Sequence, residues 1–218
     1  MTFSIVARDP ATGAFGVATA TGGPVVGSLV PHARAGVGAI ATQGYTNGLY
    51  GFDGLDLLSG GQPAETVLSI LTDADAGRQR RQCLVMDRDG STAAWSGDGL
   101  TPYAGSLSSR DVAVAGNLLV GPQVLQAMLD AYQAMDAPIE DKLLAALVAA
   151  DAKGGDSRGT RSAALKVYTS EPYPAIDIRV DWSDTPIADL EPILDRVRAP
   201  DYASFFKRVP TRADPGRM

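Results

Sequence analysis

Thr2 stands directly behind the initiator Met1. Removal of Met1 would place its hydroxyl beside a free α-amine of ordinary pKa about 7.7–8.0, so that one residue holds both a nucleophile and a general base. Threonine is small enough at the second position for that excision. Such a device needs a rigid first strand to aim Thr2, a cation to keep the amine neutral, and donors for an oxyanion. The plainer reading is that Thr2 is only where translation begins. Ser4, which strand alternation puts on the same face, is a second hydroxyl without an evident base. Other routes have less to work with. The chain has no Gly-x-Ser-x-Gly elbow, no Gly-x-x-x-x-Gly-Lys-Ser/Thr loop and no Gly-x-Gly-x-x-Gly at a strand-to-helix turn. A Ser-His-Asp or Cys-His device would rest on the single histidine, His32. One cysteine, Cys83, and one histidine exclude a disulfide framework and a zinc site of thiolates and imidazoles. Asp87-Arg88-Asp89-Gly90 opens like a calcium loop but lacks the distal bidentate Glu, so it reads as a hairpin turn. No metal and no cofactor is expected.

The 218 residues carry 19 Lys and Arg against 25 Asp and Glu, a formal charge of −6. That is the wrong sign for neutralising phosphates, so nucleic acid is not an expected partner. No apolar run reaches the eighteen or so residues of a spanning helix, and the first residues lack a basic region followed by an apolar one. The expectation is a cytoplasmic protein with no membrane partner. At 45% apolar and 20% charged residues, with 24 Gly and 14 Pro, the chain reads as a folded domain with many tight turns.

The elements that must position Thr2 follow from periodicity. Residues 2–8 alternate, Asp9-Pro10-Ala11-Thr12-Gly13 supplies turn chemistry, and residues 14–21 resume an extended pattern, so the chain opens with a hairpin. Residues 36–42 read as a buried strand. Helices follow over 51–59, with Phe52, Leu55 and Leu58 at spacing three, and from Pro63 as first helical residue, with Val67, Leu68, Ile70 and Leu71. Strands are expected at 82–86, 91–96 and 112–118. Two more helices begin at Gly121-Pro122 and at Pro138, the second carrying Leu143, Leu144, Leu147 and Val148. Strands at 162–168 and 176–182 and a helix from Pro186 complete the pattern. Strands and helices in separate blocks imply an α+β fold, a four-layer α-β-β-α sandwich of two mainly antiparallel sheets. A single domain over 1–198 and a C-terminal tail over 199–218 are expected. Tyr202, Phe205 and Phe206 in that tail would dock on this subunit or a neighbouring one, which suits a homo-oligomer.

Three segments carry a family resemblance: Thr2-Phe3-Ser4-Ile5-Val6-Ala7-Arg8-Asp9, then Val30 to Ala39 with Ala41-Thr42-Gln43, and Gly154-Gly155-Asp156-Ser157-Arg158-Gly159 leading to Ser162-Ala163-Ala164. Over residues 2–182 the chain resembles the bacterial domain-of-unknown-function family 1028, placed in the N-terminal-nucleophile (Ntn) hydrolase superfamily with the proteasome β subunits. The resemblance implies the four-layer fold and hydrolysis of a small-molecule amide or related C–N bond, with Thr2 as nucleophile. By proteasome-like spacing it implies that Arg34 stands near the lysine that tunes the nucleophile and Thr19 near a supporting carboxylate; both are departures, and Arg34 can act only as a fixed charge. Many members of the family it resembles carry Gln at Arg161 and Trp at His32, and some have Ser-Lys at Thr21-Gly22.

Gln43 and Asn47 follow a strand, and Asn117 ends another; their amides could bind a carbonyl or oxyanion, or cap turns. Asp156 and Arg158 could orient the amine, or belong to a helix C-cap. The candidate catalytic set is therefore Thr2, Arg34, Asn117 and Asp156, and the candidate substrate-binding set is Ser4, Thr19, Gln43, Asn47 and Arg158. With Met1 retained, the same fold would be a non-catalytic binding or assembly module.

Overall fold

Alternation at the start of the chain becomes a hairpin of β1 (Thr2–Arg8) and β2 (Phe15–Thr21), here in a computed structural model that describes residues 2–218. The fate of Met1 lies outside the described residues. Asp9 builds the turn, its carboxylate accepting from the Ala11 N–H and the Thr12 hydroxyl, and Gly13 supplies the positive φ of 74°. There follow β3 (Pro31–Arg34), β4 (Gly38–Gly44), α1 (Leu49–Ser59), α2 (Ala64–Asp73), β5 (Arg81–Asp87), β6 (Thr92–Ser96), β7 (Gly105–Ser109) and β8 (Val112–Asn117). The chain continues through α3 (Gln123–Ala134), α4 (Ile139–Ala152), β9 (Ser162–Tyr168), β10 (Ile176–Val180), α5 (Pro186–Arg198) and α6 (Pro200–Phe206).

One sheet has the order β10-β9-β2-β1-β8-β7 and the other β3-β4-β5-β6, with every pairing antiparallel. Phe3, Ile5 and Ala18 pack outward on Val124, Met128, Leu143 and Leu147 of α3 and α4, and α5 adds Leu190 and Leu194. Ile40, Cys83 and Val85 do the same on the far side with Leu55, Leu58, Val67 and Leu71 of α1 and α2. Between the sheets lies a third core of Val6, Phe15, Val17, Ala39, Leu84 and Met86. These are the four expected layers, and β1 and β8, buried on both faces, are central to them.

Several local readings change. β7 went unread because Gly-Ser-Leu-Ser-Ser has a single apolar residue and lives by pairing with β8 at a sheet edge. Pro63 and Pro138 are extended residues before α2 and α4 rather than their first helical residues. Phe52 is 62% exposed, and Ile70 and Val148 also face outward, so spacing alone overstated those helix faces. The tail is ordered into α6 and folds back, with the Tyr173 hydroxyl donating to the Pro210 carbonyl and the Arg212 N–H to Glu171. Asp87 does close a turn: its carboxylate accepts from the Asp89 and Ser91 N–H groups and from Ala64 at the head of α2. Among the described residues no helix is long and apolar enough to cross a membrane.

Leu147 is fully buried under the larger sheet, so Leu147→Ala removes contacts that α4 cannot replace. Chemical denaturation is expected to show a loss of about 2–5 kcal/mol, and a loss below about 1 kcal/mol would contradict this packing.

Candidate active site

At one end the inter-sheet layer turns from apolar to polar. Thr2 begins β1 and is paired with Thr21 on β2 and Asn117 on β8, while Thr21 is paired with Ser162 on β9. Directly opposed residues share a face, so Asn117, Thr2, Thr21 and Ser162 form one polar row across four strands. The Thr2 and Thr21 hydroxyl oxygens are 3.1 Å apart, and Thr2 retains 8% of its accessible surface. One step inward on the same face, Ser4 opposes Thr19. The Ser4 hydroxyl donates to Gln43 Oε1 at 2.5 Å and lies 2.8 Å from Thr19 Oγ1, whose own hydroxyl reaches the Phe3 carbonyl at 3.3 Å.

The facing sheet answers with two glutamines paired across β4 and β5. Gln43 Nε2 donates to Gln82 Oε1 at 2.7 Å and lies 3.4 Å from the Thr2 carbonyl. Gln82 Oε1 also accepts from Asn117 Nδ2 at 2.9 Å, and its Nε2 donates to Ser96 Oγ at 2.8 Å and the Gly116 carbonyl at 2.9 Å. Buried amides are stable only when paired, and here each pairs across the gap between the sheets. Gln82 was missed in the sequence; the available signal was a polar residue opening the apolar run Cys83-Leu84-Val85-Met86. Thr21 and Ser162 were missed because they looked like ordinary strand ends.

Asp156 closes the same end. Its residue bridges Leu119, two positions beyond Asn117, and its Oδ2 accepts from the Gly22 N–H at 2.5 Å, one residue beyond Thr21. Arg158 wraps it, Nη2 to Oδ2 at 3.0 Å and Nε to Oδ1 at 3.2 Å. A side chain at position 22 would collide with that carboxylate, which explains Gly22. Ser162 ties the following loop, accepting from the Val26 N–H and donating to the Gly23 carbonyl. Among the described residues, no titratable side chain bonds the Thr2 hydroxyl.

Two residues are not brought to Thr2. Arg34 pairs with Gly38 at the far end of β4, five residues from Gln43, and its guanidinium bonds Asp56 at 2.9 Å with 40% of the side chain exposed. The family resemblance implied a place near Thr2; the short antiparallel β3 carries it the other way. Asn47 accepts from the Leu49 N–H at the head of α1 and donates to Asp75 at 3.4 Å, the turn-capping alternative. Asp75 anchors this loop. The Arg81 guanidinium foremost, with the Gly77 N–H, Tyr50 and Asn47, holds its carboxyl at about 2, and Arg81 also donates to the Tyr45 carbonyl. Burial and the Asp75 contact push the Tyr50 phenol well above its usual range.

Fold and site together define a four-layer sandwich with a hydroxyl-and-amide row at the open end of its first strand. The chain belongs to the family of unknown function DUF1028, which matches residues 2–190. Protein SPO2555 from Silicibacter pomeroyi, a solved structure of that family, shares 36% identity with a TM-score of 0.92 over 100% of this chain and 98% of that one. The likeness to Anbu, an ancestral beta-subunit from Yersinia bercovieri, is slight: 11% identity and a TM-score of 0.40 over 95% of this chain and 98% of that one. Among curated proteins none matches the chain.

Gln82→Ala would take the acceptor from the Asn117 amide, the nearest acceptor from Gln43 and the side-chain donor from the Gly116 carbonyl, and is expected to cost about 3 kcal/mol in denaturant unfolding; a cost under about 1 kcal/mol would contradict the network. Asp75 is depressed in the folded state, so its contribution is present above about pH 4 and is lost as pH falls towards 2. Asp75→Asn should flatten the stability profile of the wild type over that range, and parallel profiles would refute the assignment.

Proposed function

We propose that this chain is an Ntn-type amidohydrolase that cleaves a small-molecule amide or related C–N bond once Met1 is removed. The Thr2 hydroxyl attacks the carbonyl and its proton passes to the α-amine of the same residue. The tetrahedral intermediate collapses by breaking the C–N bond, and the departing amine takes the proton back. Water, deprotonated by the same amine, then hydrolyses the Thr2 ester.

What supports this reading is the Thr2 hydroxyl set in a polar row at the end of an otherwise apolar layer, with no side-chain base bonded to it among the described residues. The terminal amine freed by Met1 removal is the base this reading assigns. Asn117 Nδ2 has a second N–H beyond the one given to Gln82 and serves as an oxyanion donor. Asp156 and Arg158 hold the loop beside the nucleophile and supply local charge there. Ser4, Thr19 and Gln43 keep the end of β1 from shifting, because rigid positioning is what such a site needs. Arg34 and Asn47 have no part in this mechanism. The protein would work without a cofactor, and homo-oligomerisation remains a separate proposal resting on the exposed aromatics of α6.

The test is turnover of an amide library by wild type, Thr2→Ser and Thr2→Ala. A hydroxyl in either form should support turnover, while Thr2→Ala should lower kcat/KM by about 10³-fold or more. Equal turnover by Thr2→Ala would remove Thr2 from the chemistry and leave the non-catalytic module as the reading.

A further inference from the structure

A second polar concavity wraps the edge of the smaller sheet, with Ala33 of β3 turned into the inter-sheet core and His32 and Arg34 on the opposite face beside α1. Where β9 faces the edge strand β3, remote from Thr2 along both strands, a cleft of about 640 Å³ opens. Lys166 enters it from β9, Arg34 from β3 and Arg212 from the folded-back tail. Tyr168 adds a hydroxyl, and His32 and Phe52 form an aromatic wall with ring centroids 5.3 Å apart. Among the described residues no Asp or Glu lines the cleft. On a chain of net charge −6 this is a local reversal of sign, and a concave wall concentrates such a field.

The cations are open to exchange. Arg34 bonds Asp56, which is 73% exposed, and an exposed pair of this kind contributes little. Lys166 stands 3.5 Å from Asp177, at the outer limit of a direct contact. Among the described residues no carboxylate lies within ion-pairing reach of the Arg212 guanidinium; the contact with Glu171 is made by the Arg212 backbone. Burial lowers the His32 pKa, with the Lys166 charge adding to the effect, and its Nε2 is held by the Leu29 carbonyl, so the ring acts as a neutral wall.

We propose that this cleft is a binding site for a small organic molecule bearing a multiply charged oxyanion group, its charge held by Lys166, Arg34 and Arg212 and its apolar part laid on His32 and Phe52. Planar guanidinium groups suit either a phosphate or a pair of carboxylates. The site is separate from Thr2, so it stands whether or not the chain is a hydrolase.

Isothermal titration calorimetry on the full chain at about 0.15 M salt, a condition that screens diffuse surface attraction, tests it with pyrophosphate, tricarballylate and neutral glycerol. One of the two anions should bind with Kd below about 1 mM, the identity of the better one telling phosphate from carboxylate, and glycerol should not bind. Lys166→Met and Arg212→Ala should each weaken binding about 10-fold or more, and Lys166→Arg should stay within about threefold of wild type. Should Lys166→Met fail to fold, Arg212→Ala on the surface tail carries the test alone. No heat from either anion at about 10 mM, or wild-type affinity in Arg212→Ala, would overturn the proposal.

Discussion

Two glutamine amides facing a row of hydroxyls hold the sandwich together at the end where β1 starts. Gln43 and Gln82 are fully buried between sheets, and an amide in that position is costly unless each of its groups is paired. Their partners come from both sheets, Ser4, Asn117 and the Gly116 carbonyl on one and Ser96 on the other, so the spacing of the sheets and the rotation of the amides are set together. The same contacts fix register. A slip of β1 by one residue would push Phe3 into the polar row and Thr2 and Ser4 under α4, leaving amides unpaired and a helix face without its cover. Whatever Thr2 does depends on this constraint, because it decides what the first residues of β1 face.

Much of the fold could be read because each sheet buries at least one face and its strands therefore carry a clear apolar pattern. The β1–β2 hairpin, β9 and the face of α3 are the clearest cases. β7 and α6 were hidden for opposite reasons: the strand is nearly all polar and is held by β8, and the helix sits in a stretch dominated by proline and charge. Within the site, Thr2, Ser4, Thr19, Gln43 and Asn117 do come together, since alternation fixes which face each occupies. Arg34 does not, because sequence distance from Thr2 says nothing about which end of β4 the edge strand β3 will reach. Gln82 was concealed by the apolar residues after it, and only the facing sheet reveals why a glutamine stands at the head of a buried strand.

The layer between the sheets is thus apolar in its middle and polar at the Thr2 end, and a polar region of another kind wraps the edge strand β3. The Thr2 end is made of hydroxyls and amides with one buried carboxylate, Asp156, clasped by Arg158. The other is made of cations and aromatic rings. Neutral donors beside a hydroxyl suit the acyl chemistry proposed for Thr2, where charge would develop on an oxygen during reaction. A cationic cleft suits a ligand whose charge is already present. Both lie in one sandwich because the inter-sheet layer is open where β1 begins, while the exposed edge of β3 leaves a concavity between β9 and α1.

The most direct measurement is the intact mass of the protein purified from its own host, with the first peptide sequenced. The account predicts a mature chain that begins at Thr2, lighter by one methionine residue. A chain that keeps Met1 throughout would contradict it, since an acylated nitrogen cannot accept the proton of the Thr2 hydroxyl.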